Sequence, residues 1–129
     1  MNNIIGFIES YKRKRFTGGV SAELIKNAEN KLGLELAHEY KEVLLKYGSL
    51  YIKGEEFLGI DCDNYDLVKA TIESRNEDNA FPRDAYVIEN IAIDGILIIQ
   101  KKTGELMFYQ PNCKLQHIAN SLEEYLLNL

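Results

Sequence analysis

Five stretches of this chain place apolar residues at helical spacing. Ile4, Phe7, Ile8 and Tyr11 stand at i, i+3, i+4 and i+7, one face of a helix. Thr17-Gly18-Gly19 breaks the pattern as a turn between helices. Ser21 then suits an N-cap, with Glu23 in the first turn beside the positive helix end. Leu24, Ile25, Ala28 and Leu32 make the next stripe, and Gly33 stands where a C-terminal glycine belongs. Beyond Leu34-Glu35-Leu36, the set Tyr40, Val43, Leu44 and Tyr47 predicts a further helix, stopped by Gly48. Leu67, Val68, Thr71, Ile72 and Arg75 predict a helix over about 65–77. The last helix starts at Ser121, whose partner Glu124 completes a capping box, and its buried face is Leu122, Tyr125, Leu126 and Leu129.

Between these lie strand patterns. Tyr51-Ile52-Lys53 and Glu56 to Ile60 read as short strands around Gly54. Glu77 to Pro82 is a loop, because Pro82 disfavours helix at Phe81. Ala85 to Glu89 is a strand. Ile96 to Gln100 is a nearly continuous apolar run, as expected of a strand buried on both faces. Lys101 to Gly104 is a hairpin loop, and Glu105 to Gln110 returns.

The 129 residues suffice for one domain with a sizeable core. Hydrophobic residues make up 46% and charged residues 27%, so order is expected throughout. No apolar run approaches the roughly 20 residues that span a bilayer, and the first residues lack the pattern of a signal peptide. Cys62 and Cys113 are too few for a disulfide framework or a zinc site, and read as reduced thiols of a cytoplasmic protein. Charge changes the picture more. Residues 1–53 carry a net +3, residues 54–100 a net −8, and residues 101–129 balance. An acidic middle third repels nucleic acid and attracts basic partners.

Candidate chemistry is sparse. Asp61 to Asp66 resembles a calcium loop only in part, since Tyr65 and Asp66 stand where an oxygen ligand and a glycine are needed. The plainer reading is a solvated loop in which Asp63 or Asn64 caps the following helix. His38, near a helix start, and His117, just before the final helix, have no nucleophile or acid in their local sequence. Lys12-Arg13-Lys14-Arg15 could contact phosphates, but reads better as a solvated face at a helix C-terminus. Gly18-Gly19 lacks the Gly-Lys-Ser/Thr ending of a phosphate loop. Of the eight tyrosines, Tyr40, Tyr47 and Tyr125 fall on core stripes, whereas Tyr51, Tyr65 and Tyr109 do not. Neither catalysis nor a cofactor is expected.

In this order the elements resemble the SUKH (Smi/Knr-like) superfamily over nearly the whole length. The resemblance rests on Gly18-Gly19-Val20-Ser21 entering a helix with Ile25, Glu29, Leu32 and Gly33, and on Tyr40-Lys41 in a helix ending Tyr47-Gly48-Ser49. It continues in Ala85 to Glu89, Asp94-Gly95 before an apolar strand, the Gly104 hairpin and the closing Ser121 to Leu126 helix. Leu36-Ala37 departs from the Leu-Pro often found there, and proline is favoured but not required at a helix start. The resemblance implies an α+β fold with one mostly antiparallel sheet flanked by helices, and no catalytic residues. It also implies an immunity protein that binds and neutralises a bacterial polymorphic toxin, such as a nuclease, or alternatively a non-catalytic regulatory or scaffold module. The expected partner is thus a basic protein domain, not nucleic acid or a membrane. The expected contact residues are the acids Glu55, Glu56, Asp61, Asp63, Asp66, Glu77 and Asp78, with Tyr51 and Tyr65 as aromatic anchors.

Overall fold

Each apolar stripe builds the helix it predicts. In a computed structural model, which describes residues 3–61 and 65–129, the order is α1 (Ile4–Ser10), β1 (Lys14–Phe16), α2 (Ala22–Leu32), α3 (His38–Lys46), β2 (Leu50–Ile52), β3 (Glu55–Phe57), α4 (Leu67–Glu77), β4 (Ala85–Asn90), β5 (Leu97–Lys101), β6 (Leu106–Tyr109), β7 (Gln116–Ala119) and α5 (Leu122–Leu127). The caps follow the sequence as well. Ser21 accepts the Leu24 N–H at 3.2 Å, Ser121 accepts the Glu124 N–H at 3.1 Å, and Gly33 takes the left-handed conformation at φ 68°. Helix α4 starts at Leu67 because Asp66 caps it, accepting the Lys69 N–H at 2.9 Å. The expected caps Asp63 and Asn64, with Cys62, lie outside the described residues.

The fold is α+β, with two antiparallel sheets in place of the single one implied by the resemblance: β1-β2-β3 and β4-β5-β6-β7. They meet at an irregularity in β4, where the register jumps from Val87↔Ile99 to Glu89↔Ile98. Backbone groups at such a bulge leave the ladder and need other partners. The Val87 N–H donates to the Thr71 hydroxyl at 2.9 Å, and the Ile88 carbonyl accepts the Leu58 N–H at 2.8 Å. The first bond turns α4 so that Leu67, Ala70 and Thr71 face the core. Ile72, expected on that face, is exposed. Leu129 lies beyond α5 and is 47% exposed, so the buried face of that helix ends at Leu126.

Two short strands escaped the pattern. β1 incorporates half of the basic run, and β7 incorporates His117, which the sequence places in a connection. Thr17-Gly18-Gly19 consequently follows a strand and does not join two helices. It runs across the C-terminal end of α3, where the Gly18 N–H donates to the Tyr47 carbonyl (2.9 Å) and the Val20 N–H to the Leu44 carbonyl (3.0 Å). These bonds satisfy carbonyls that a helix end leaves open. The approach is so close that a Cβ on Gly19 would lie 1.9 Å from the Leu45 carbonyl oxygen.

One core joins both sheets to the helices, including Tyr40, Val43, Leu44 and Tyr47 of the third stripe. A polar network threads it. Glu39 is 5% exposed and Gln100 fully buried. Glu39 accepts the Leu122 N–H at 2.6 Å, the Glu123 N–H at 3.3 Å and the Gln100 amide at 2.9 Å. Gln100 in turn accepts the Tyr86 hydroxyl (2.7 Å) and donates to the Gly104 carbonyl (3.0 Å). The Tyr86 oxygen accepts the Ala37 N–H at 2.8 Å. This bond holds the start of α3, where Ala37 provides no side-chain cap. The network thus fixes α3, β4, β5, the β5–β6 hairpin and α5 to one another.

Glu39→Ala strands three donors in the core and is expected to cost about 3 kcal/mol, whereas Glu42→Ala costs less than about 0.5 kcal/mol. Gly19→Ala forces backbone apart and is expected to cost about 2 kcal/mol. Urea unfolding of the three variants measures these differences.

Candidate partner-binding surface

The expected contact residues do not gather in one place. Tyr51, Glu55 and Glu56 lie on β2 and β3, Asp61 and Asp66 lie before α4, and Tyr65, Glu77 and Asp78 lie at the two ends of α4. Each group lines a different cleft. Asp63 lies outside the described residues.

On the three-stranded sheet the pairing Arg15↔Tyr51↔Glu56 sets one row across the solvent face. The Tyr51 hydroxyl donates to Glu56 at 3.2 Å, and the Arg15 guanidinium lies 5.5 Å from the Tyr51 ring centre. Both candidate residues therefore already have partners. Glu55 occupies the opposite face and is directed towards Glu89 of β4, which is 2% exposed. Burial pushes the Glu89 carboxyl up to about 8, and the neighbouring Glu55 carboxyl adds to the shift. The Tyr125 hydroxyl donates to Glu89 at 3.2 Å.

Near the start of α4, Asp66 is buried and holds two N–H groups, those of Lys69 and Asp61 (3.0 Å). Its carboxylate serves the helix cap. Asp61 is exposed, in the left-handed region at φ 52°, beside a cleft of about 900 Å³ between α2 and α4 that also contains Lys31 and Lys69.

The third group is the most acidic. A cleft of about 510 Å³ is lined by Tyr65, Glu73, Glu77, Asp78, Asn90, Tyr109 and Asn112, among others. Glu73 and Glu77 are exposed and one turn apart on α4, and like charges at that spacing repel. The Asn90 amide donates to the Tyr65 hydroxyl at 2.8 Å. Burial pushes the Tyr65 hydroxyl above its ordinary value, and both glutamates add to that. Asp78 accepts the Tyr109 hydroxyl and the Ala80 N–H, and the first of these holds its carboxyl below the usual range. The cleft thus presents two exposed carboxylates around a half-buried phenol, with a third carboxylate fixed at its wall. Such a surface accepts a guanidinium or ammonium group. Glu73, Asn90 and Tyr109 line this cleft without being among the expected contact residues; for Glu73 the available signal was the Glu73-x-x-x-Glu77 spacing on a predicted helix.

The remaining candidates are simpler. His38 opens α3, exposed, 3.8 Å from Glu42. His117 Nδ1 lies 2.6 Å from Glu105 across the sheet, both partly exposed. Among the described residues no group of three or more His, Cys, Asp or Glu could hold a metal ion, and no helix is long and apolar enough to cross a membrane.

The SUKH_5 family model, described as SMI1-KNR4 cell-wall, matches residues 1–129. The chain belongs to the SUKH_5 family. No curated protein matches it. The family match covers all three clefts, and the family-like segments named from the sequence are scaffold in this SUKH_5 chain. Gly18-Gly19 closes α3, Gly33 ends α2, and Glu29 accepts the Leu36 N–H at 2.9 Å while pairing with Lys41 at 3.2 Å. The acidic residues of the α4 cleft, Glu73, Glu77 and Asp78, stand outside these segments, although Gly95 and Leu97 on its far wall belong to one of them.

Between about pH 4.5 and 8 the folded protein keeps a proton on Glu89 that the unfolded chain has lost. Stability is therefore expected to fall as pH rises through that window and to level off above it. Glu89→Gln removes this slope, so the variant gains on the native protein as pH rises. Urea midpoints taken across the window check the sign.

Proposed function

We propose that this SUKH_5 protein is an immunity protein that binds a cognate bacterial toxin, a basic nuclease domain, and blocks it without catalysis or a cofactor. The observation that carries the reading is the α4 cleft, in which Tyr65, Glu73, Glu77 and Asp78 converge. A lysine or arginine from the nucleic-acid-binding surface of the toxin would enter between Glu73 and Glu77, with Tyr65 packed alongside. The cation would relieve the repulsion between the two glutamates. The bound acidic face would then cover the position of the phosphates. The net −8 of residues 54–100 would speed encounter with a basic surface. In this reading Glu55, Glu56 and Asp61 contribute to the long-range field more than to the contact, Tyr51 stays packed between Arg15 and Glu56, Asp66 supports the scaffold, and the protein acts in the cytoplasm, where the toxin would otherwise reach nucleic acid.

The description of the matched family refers to the cell wall, which favours a second reading: a regulatory or scaffold module with an unrelated protein partner. An immunity gene lies beside a toxin gene, whereas a regulatory module has no such neighbour.

Co-expression with the C-terminal domain of a neighbouring toxin gene, read by host survival and co-purification, tests the first reading. Glu73→Gln/Glu77→Gln is expected to slow association about tenfold at low salt, with the gap closing at high salt and folding stability equal to or slightly above that of the native protein. Unaltered binding by this variant would place the contact elsewhere.

A further inference from the structure

The basic run of the sequence is not a plain solvated face. Lys14 and Arg15 belong to β1, the terminal strand of the three-stranded sheet, paired only with β2. Antiparallel ladders alternate, with every second residue turning its backbone groups to the same neighbour. Thr17 donates its N–H to the Ser49 carbonyl at 3.1 Å, and Arg15 lies opposite Tyr51. Lys14 and Phe16 therefore direct their N–H and C=O groups away from β2, and no described residue pairs with them there. Beside this open edge, Lys12 and Arg13 are exposed and have no carboxylate partner among the described residues. Phe16 is 50% exposed, its ring edge against Tyr47 at 5.1 Å between centres. A cleft of about 620 Å³ crosses the three strands from Lys12 beside β1 to Glu56 on β3.

We propose that the open edge of β1 is a docking site for an extended acidic segment of a partner protein, which adds to the sheet as a further antiparallel strand. The backbone determines the kind of molecule. Lys14 and Phe16 offer both donors and acceptors, and only another peptide backbone answers both in register. A phosphate chain has nothing to give the carbonyls. The side chains determine its charge. A strand beside β1 meets Lys12, Arg13 and Arg15 first, while Glu55 and Glu56 lie across the sheet on β3. A second copy of β1 would set cation against cation, which cross-strand pairing disfavours. Acidic side chains alternating with apolar ones would meet Arg15 on one face and Phe16 on the other, with Lys12 and Arg13 just beyond the strand end. This site is separate from the α4 cleft and does not depend on the toxin reading.

The test is amide hydrogen exchange, resolved by NMR, on the full chain with a short synthetic peptide alternating Glu and Val. A Lys-Val peptide and a single-stranded oligothymidylate are the controls. The Glu-Val peptide is expected to slow exchange at Lys14 and Phe16 about tenfold while leaving Arg15, already bonded to Tyr51, unchanged. Lys12→Glu/Arg13→Glu, both outside the strand, is expected to weaken this peptide about tenfold and to admit the Lys-Val peptide. Absence of slowing at Lys14 and Phe16 would overturn the proposal and leave the lysines and arginines as guards against edge-to-edge aggregation. Tighter binding of oligothymidylate than of the Glu-Val peptide would overturn it in favour of nucleic acid.

Discussion

A single buried carboxylate, Glu39, ties the third helix of this chain to its last. It lies at the start of α3 and accepts the N–H groups that open α5, 83 and 84 positions later, together with the amide of Gln100 on β5. An ion placed in a core without such donors would cost several kcal/mol. Here the carboxylate faces a helix N-terminus, where partial positive charge already resides. The six-residue α5 is too short to be stable by itself, so its position rests on this contact and on Leu122 and Leu126 in the core. Once α5 is fixed, Tyr125 reaches Glu89, and Lys53 reaches the Leu126 carbonyl at 2.8 Å. The junction of the two sheets is closed in this way.

Interior and surface use the acidic residues differently. Glu39, Glu29, Asp66 and Glu89 are acids spent inside the protein, on helix termini and the sheet junction. Glu73 and Glu77 are spent on nothing internal that the structure shows, and they stand on a helix whose buried side is occupied by Thr71 and the β4 bulge. The same logic separates the basic residues. Lys53 and Arg75 donate to backbone carbonyls of α5 and α2, the second at 2.8 Å from Leu32, whereas Lys12 and Arg13 project at an unpaired strand edge. Acidic helix and basic strand edge are thus distinct resources on one scaffold.

Much of that scaffold was legible in the sequence because its determinants are local. Ser21, Gly33, Ser121 and the Tyr40–Tyr47 stripe act within one or two helical turns, and they acted as read. The failures share a non-local origin. Lys-Arg-Phe and Gln-His-Ile-Ala become β1 and β7 because β2 and β6 supply their partners; neither segment has a strand pattern of its own. Ile72 lost its expected place because the helix turns to bury Ala70 beside Thr71, whose hydroxyl a bulge 16 residues away requires. Gln100 looked like the polar end of an apolar run and proved to be the link between Tyr86 and Glu39. The contact surface was legible only as a quantity of charge. Composition located the acids in the middle third, but tertiary structure divided them among three clefts and withdrew Asp66 as a cap. Glu73, invisible in a count of loop acids, emerged because α4 sets it one turn from Glu77.

The most direct test of this account is a chemical-shift titration of the isotopically labelled protein with the toxin domain that co-purifies with it. The account predicts that perturbations concentrate on Tyr65, Glu73, Glu77 and Asn112, with Glu39, Gln100 and Leu122 unmoved. Perturbations centred on α2 or the β5–β6 hairpin, with the α4 cleft silent, would contradict it.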